Sequence, residues 1–307
     1  MKRIILDTDP GVDDALAFLL AFNSPKINVE AVTTVAGNVN HAKAHLNAKK
    51  LLGFLGETDV PLCGGAPKPL IRTIGNAEEF HGKTGLGNAV LPVPKMETSP
   101  FNAVEMILKK VEDLGKNLTI VAIGPLTNIA SAILADPGLP EKVNGLVIMG
   151  GAFYLTPYGY GNANAVAEFN VWYDPEAAKI VFNSGITLTC AGLDTTTNPD
   201  YKMSPYMFNK ICEKKTEKAG LVVDLCNDIM ERFNAFSLHD PMAIAYLINQ
   251  SIFRTGTFSI DVETQGELTR GMTVVERRTH RINDTNAEIV LEVDAEKFHN
   301  LIIDGVT

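Results

Sequence analysis

Short apolar, β-branched runs alternate with segments of helical periodicity along most of this chain, and no other property narrows the possible folds as far. Arg3–Leu6 reads as a strand, and Asp14–Phe22 carries apolar residues on helical spacing. Val29–Val35 and Ala42–Leu55 repeat that strand–helix pair. Then come the helix Phe101–Leu114, the strand Leu118–Ile123, the helix Leu126–Leu134, the strand Gly145–Met149, the helix Pro175–Asn183 and the strand Ile186–Leu193. This order implies an α/β fold with a mostly parallel, Rossmann-like central sheet flanked by helices. The strands are continuous apolar runs, as a sheet covered on both faces requires. Helical patterns dominate Tyr206–Ile248, a further strand signal lies at Phe258–Val262, and Glu296–Ile303 reads as a closing helix. Arg270–Val275 and Ile289–Val293 are expected to form a small peripheral antiparallel piece. No internal repeat, low-complexity tract or linker-like break divides the chain, so a single domain over 1–307 is expected.

Composition removes several classes. With 46% hydrophobic and 21% charged residues among 307, the chain has enough apolar material for a large core, which excludes disordered, collagen-like and coiled-coil proteins. A net charge of −9, from 27 basic and 36 acidic residues, speaks against a broad polyanion-binding surface, so no nucleic-acid partner is expected. Two long uncharged stretches are broken as membrane spans: Leu118–Ala135 by Gly124-Pro125, and Val143–Ala167 by Gly150-Gly151, Pro157, Gly159 and Gly161. Only Ile4, Ile5 and Leu6 precede Asp7, too few for a signal-peptide apolar region, which points to a cytoplasmic protein. Cys63, Cys190, Cys212 and Cys226 show no CxxC spacing and read as reduced core thiols.

In such a sheet, ligands bind beyond the carboxyl ends of the strands. Asp7-Thr8-Asp9, Gly37-Asn38, Gly124-Pro125-Leu126-Thr127-Asn128, Gly150-Gly151 and Asp194 all follow strand runs and are expected on one rim. Asp7 to Asp14 packs four carboxylates into eight residues, and charges so crowded repel unless a cation sits among them. Oxygen donors without nearby His or Cys suit Ca²⁺ or Mg²⁺ better than zinc. The plainer account has Asp13 and Asp14 complementing a helix N-terminus after a Pro10-Gly11 turn, for which one acid would suffice. His239-Asp240-Pro241 could offer a proton donor and a metal ligand, although taken alone it reads better as an N-cap Asp240 beside a surface histidine. Glu168-Phe169-Asn170 resembles a set for gripping vicinal hydroxyls, or else a strand-edge loop whose aromatic packs inward. The glycine-rich His81–Gly87 lacks phosphate-loop spacing and is either a loop over a ligand or an ordinary surface loop. Arg277, Arg278, His280 and Arg281 lie among acids and read as solvated surface.

Together these residues resemble the nucleoside hydrolases, the inosine–uridine preferring or ribonucleoside hydrolase family. Asp7-Thr8-Asp9-Pro10-Gly11-Val12-Asp13-Asp14-Ala15 is similar to the family's N-terminal signature. Behind it, in order, come Thr33–Asn38, His81–Gly87, Gly124–Asn128, Met149–Ala152, Ala167–Asn170, Asp174–Ala178 and His239–Pro241, so the resemblance runs essentially end to end. It implies hydrolysis of the N-glycosidic bond of ribonucleosides to ribose and free base, with Ca²⁺ as cofactor. By resemblance, Asp9, Asp14 and Asp240 supply carboxylate ligands and Ile123 a main-chain carbonyl, and Asp9 deprotonates the attacking water bound to the metal. Asp13, Asn162, Glu168 and Asn170 hold the ribose hydroxyls, Asn38 sits by metal and ribose, and Met149 packs on the sugar. His81 and His239 approach the base, with His239 the candidate proton donor to a leaving purine. The resemblance also implies a homodimer or homotetramer.

Two segments depart from the better-known members: the longer loop between Gly151 and Asn162, with Tyr154, Tyr158 and Tyr160, and Glu231–Leu238, which lacks a tyrosine found near the base in some members. Both are expected to border the base pocket, which leaves purine or pyrimidine preference open. The competing readings are a haloacid-dehalogenase-like phosphatase, suggested by Asp7-Thr8-Asp9, and a nucleoside-binding protein without turnover.

Overall fold

The computed structural model describes residues 1–72, 82, 84–97, 99–278 and 284–307. Among the described residues ten strands form in chain order: β1 Lys2–Thr8, β2 Ile27–Thr34, β3 Leu62–Gly64, β4 Leu118–Ala122, β5 Gly145–Met149, β6 Leu188–Ala191, β7 Phe253–Phe258, β8 Ile260–Val262, β9 Thr273–Val275 and β10 Ala287–Val293. Eight of them make one sheet in the order β3-β2-β1-β4-β5-β6-β10-β7, parallel except for β7, which runs antiparallel to β10 at the edge. The result is a single-domain α/β fold.

Alternation along the strands splits the core into two layers. Ile4 and Leu6 of β1, Val121 of β4, and Val147 and Met149 of β5 pack on one side with the helices Val12–Asn23, His41–Leu55, Glu217–Phe233, His239–Ile248 and Ala295–Val306. Ile5, Ile120, Ala122, Leu146 and Ile148 face the other way, against the helices Ala103–Leu114, Thr127–Ala135 and Pro175–Phe182. Local signals set the helix ends. Asn102 accepts from the Glu105 amide while Glu105 reaches back to the Asn102 amide, a reciprocal cap that starts Ala103–Leu114.

One sequence expectation needs correcting. Arg270–Val275 does contribute to a small antiparallel pair, β8 with β9, but Ile289–Val293 does not join it. As part of β10 it enters the main sheet between β6 and β7. The acidic residues of β10 suggest an exposed strand, yet Glu288 is satisfied internally by the hydroxyls of Thr189, Tyr246 and Thr255 at 2.8–3.1 Å. The signal at Phe258–Val262 likewise divides between β7 and β8.

From β1 the chain moves outward to β2 and β3 on one side, then returns to β4 on the other. Strand order therefore reverses between β1 and β4, opening a crevice at their carboxyl ends. Asp9 and Ile123 are the first residues beyond those two strands. Among the described residues no helix is long and apolar enough to cross a membrane.

Candidate active site

Asp9, Asp13 and Asp14 lie where β1 turns through Pro10-Gly11 into the helix Val12–Asn23, and Asp240 comes from the first turn of His239–Ile248, which packs against it. One carboxylate oxygen each of Asp13, Asp14 and Asp240 lies within 4.8 Å of the others. Asp9 is outside that trio but adjoins it, since its own amide is 3.3 Å from Asp14 Oδ1. The Asn38 amide donates to Asp9 Oδ2 at 2.7 Å, whereas Asp9 Oδ1 is buried with no hydrogen-bond partner. Two glycines let the backbone close around this carboxylate. A Cβ on Gly37 would collide with Asp9 Oδ2, and one on Gly124 would stand 2.6 Å from Oδ1.

The plain account of Asp14 is also true: the amide of Gly11 donates to its Oδ2 at 2.8 Å, capping the helix. Thr8 Oγ1 and Asn38 Nδ2 donate to the same carboxylate. Capping does not account for the other three acids. Burial raises the pKa of every member of the cluster, because desolvation penalises the charged form. Asp13 is pushed up to about 8 by burial and then by the charge of Asp14. Asp240 is raised by burial and by Asp13, Asp14 and Asp9 in turn. An all-oxygen set of mutually repelling buried carboxylates, with an orphaned Asp9 oxygen, fits a hard divalent cation.

Over the cluster opens a cavity of about 400 Å³. Of the residues singled out in the sequence, Asp13, Asn38, Ile123, Met149, Asn162, Glu168, Asn170, His239 and Asp240 line it. Asp9 and Asp14 do not, and both are fully buried. His81 lies outside the described residues, as do His280 and Arg281. Glu168 is braced by three main-chain amides, those of Asn170, Val171 and Gly151, at 2.8–3.1 Å. Asn170 Nδ2 donates to the carbonyls of Ile123 and Met149, both at 3.1 Å, which ties its amide to the ends of β4 and β5. His239 Nδ1 stands 2.8 Å from Thr196 Oγ1.

Sequence reasoning missed Thr197, which also lines the cavity, as do Phe169 and, from the Glu231–Leu238 segment expected at the base pocket, Ser237. Phe169 sits inside the Glu168–Asn170 motif and Thr197 just past the end of β6, so proximity to recognised features was the available signal. Among the described residues the long loop borders the cavity through Asn162, and none of Tyr154, Tyr158 and Tyr160 lines it. Asp194, expected on the rim, serves structure instead: its carboxylate accepts from the amides of Phe153, Leu155 and Thr156 at 2.6–3.1 Å. Arg277 is not simply solvated, since its guanidinium donates to the carbonyls of Phe153 and Tyr154.

An α/β sheet whose switch-point crevice holds buried acids beneath a cavity of this size defines a small-molecule binding site, and comparison with known proteins gives it a family. The model of the inosine-uridine preferring nucleoside hydrolases matches residues 4–300, and the chain belongs to that family. It is therefore an enzyme of the class that hydrolyses N-glycosyl compounds, acting on ribonucleosides. A pyrimidine-specific ribonucleoside hydrolase RihA of Shewanella sp. (strain MR-4) is 40% identical, over 99% of this chain and 96% of the relative. The plant nucleoside hydrolase PpNRh1 superposes with a TM-score of 0.90 at 30% identity, covering 100% of this chain and 99% of that structure. The purine-preferring ribonucleoside hydrolase from Gardnerella vaginalis gives 0.90 at 28%, with 99% and 98% covered. Family membership displaces the phosphatase reading.

Proposed function

We propose that the chain hydrolyses pyrimidine ribonucleosides such as uridine and cytidine in preference to purine ones, with Ca²⁺ held in the acidic cluster. The observation that carries the reading is the cluster itself: four buried carboxylates, Asp9 among them with an orphaned Oδ1, under a cavity lined by Asn38, Asn162, Glu168 and Asn170. The pyrimidine preference is supported by the 40% identity to a relative named pyrimidine-specific, against 28% to the purine-preferring one.

We assign Asp9, Asp14, Asp240 and the Ile123 carbonyl as ligands, and Asp13, which lines the cavity where Asp9 and Asp14 do not, to the ribose. When bound there, Ca²⁺ supplies Lewis acidity that orients a diol and makes water more acidic. Asp9, with its unsatisfied Oδ1, takes a proton from the water that attacks the anomeric carbon. Glu168 and Asn170 are held rigidly enough to fix the sugar before reaction, so little reorganisation is needed at the transition state. The carboxylates favour the positive charge that develops on the ribose as the C1′–N bond breaks. Met149 packs on the sugar, Asn38 steadies Asp9 and Asp14, and His239, with His81, meets the departing base. A cytoplasmic homodimer or homotetramer is part of the same proposal and rests on family resemblance.

The test is a reducing-sugar assay across uridine, cytidine, inosine, adenosine, guanosine and their 2′-deoxy forms. We expect uridine and cytidine to exceed inosine by about tenfold or more, the range a shaped pocket provides. Deoxy substrates should be slower by about 10³-fold or more, because a missing hydroxyl leaves buried polar groups unpaired. No ribose from any nucleoside would overturn the activity, and equal rates on purines would overturn the preference.

A further inference from the structure

Three consecutive threonines follow the end of β6, and their hydroxyls have different partners. Thr195 Oγ1 donates to the Val290 carbonyl at 2.6 Å, and Thr197 Oγ1 to that of Leu193 at 2.7 Å. Thr196 has no such carbonyl among the described residues. Its hydroxyl is buried, 1% of the residue being exposed, and its one hydrogen-bond partner among the described residues is His239 Nδ1 at 2.8 Å.

A buried hydroxyl that failed to donate its proton would bear the cost of an unmade hydrogen bond. Among the described residues the only acceptor Thr196 meets is the imidazole, so the O–H donates and Nδ1 accepts. A neutral imidazole accepting at Nδ1 carries its hydrogen on Nε2. Had Nδ1 carried the hydrogen, Thr196 would have to accept it and leave its own proton stranded away from water. We infer that Thr196 is a positioning residue that fixes neutral His239 as the Nε2–H tautomer, turning an N–H donor toward the cavity that His239 lines.

The consequence for the reaction rests on nucleoside hydrolysis in this cavity; the tautomer does not. As the C1′–N bond breaks, its electron pair passes to the base and spreads onto the adjacent ring carbonyl oxygen. The Nε2–H hydrogen-bonds to that oxygen and keeps its proton, and the released base takes a proton from solvent. His239 thus stabilises the leaving base as a hydrogen-bond donor, in place of the full proton transfer that family resemblance implies for a leaving purine. A carbonyl beside the glycosidic nitrogen is a feature of pyrimidines, so the same tautomer also favours them.

Long-range ¹H–¹⁵N spectra of histidine-labelled protein, assigned by loss of signals in His239→Gln, report the tautomer directly. We expect Nε2–H in the wild type and a mixture of tautomers in Thr196→Val; a predominantly Nδ1–H wild-type ring would overturn the inference whether or not the variant folds. With uridine, T196V should lower kcat about tenfold, the scale of one hydrogen bond, and leave KM within about twofold. T196S should restore kcat. With 4-nitrophenyl riboside, whose leaving group is a stable anion, the change should stay within about twofold. Equal losses on both substrates would make the contact merely structural. A wild type that releases no ribose from any nucleoside would remove the hydrolase reading while the spectrum still decides the tautomer.

Discussion

Asp194 and Asp9 follow different strands of one sheet, both at the carboxyl end and both buried, yet the fold treats them in opposite ways. Three main-chain amides close on Asp194, and Asp174 is likewise satisfied by Thr127 Oγ1 and the amides of Leu70 and Ala177 at 2.7–3.1 Å. Asp9 receives one amide from Asn38, keeps an orphaned Oδ1, and has further acids for neighbours. Burial alone therefore does not mark a functional carboxylate. What separates the groups is whether the protein supplies enough donors, and where it does not, a ligand is the remaining source of compensation.

The largest expected effect comes from neutralising the under-satisfied side. Asp9→Asn should lower kcat for ribose release by about 10³-fold or more, because proton removal and charge stabilisation are lost together. Its melting temperature without divalent ions should hold or rise, since a repelled buried charge is gone. Retained turnover in a folded variant would break the contrast.

Next comes pH. Asp13 has a folded pKa of about 8 against an ordinary 3.8, so its protonated form is favoured in the native state. The stability this provides is fully present below about pH 4 and drains away as pH rises through about 8. Chelated protein should therefore melt at progressively lower temperature across that window, and added Ca²⁺ should restore stability most at its upper end. A chelated melting curve that stays flat with pH would show that the cluster is compensated from within.

The smallest of the three effects belongs to the braced side. Asp194→Asn replaces an oxygen that accepts an amide with an N–H donor, which should cost about 2–3 kcal/mol in denaturant unfolding while kcat/KM changes within severalfold. A loss of activity without a loss of stability would move Asp194 into the site.

The Asp7–Asp14 run was legible because four acids fall within eight residues around a strand end, and a local charge problem needs no tertiary knowledge. The sheet was legible for a similar reason, its strands being apolar runs at regular intervals. β10 was misplaced because Glu288 looks like an edge residue until the hydroxyls of Thr189, Tyr246 and Thr255 are brought to it from three other elements. Thr196 gave no signal at all: among three identical residues, only the position of His239, supplied by a distant helix, singles it out. Asp194 shows the opposite failure, a strand-end acid whose partners are amides that no sequence motif announces.

Asp14 belongs to the first helix of the chain, whereas Asp240 arrives with the helix His239–Ile248. The two are far apart in sequence, so the acidic cluster closes only once these distant segments have docked on one another. Assembly of the cluster is thereby tied to tertiary docking, and a fold in which the helix His239–Ile248 had come away from Val12–Asn23 would hold Asp13 and Asp14 without Asp240.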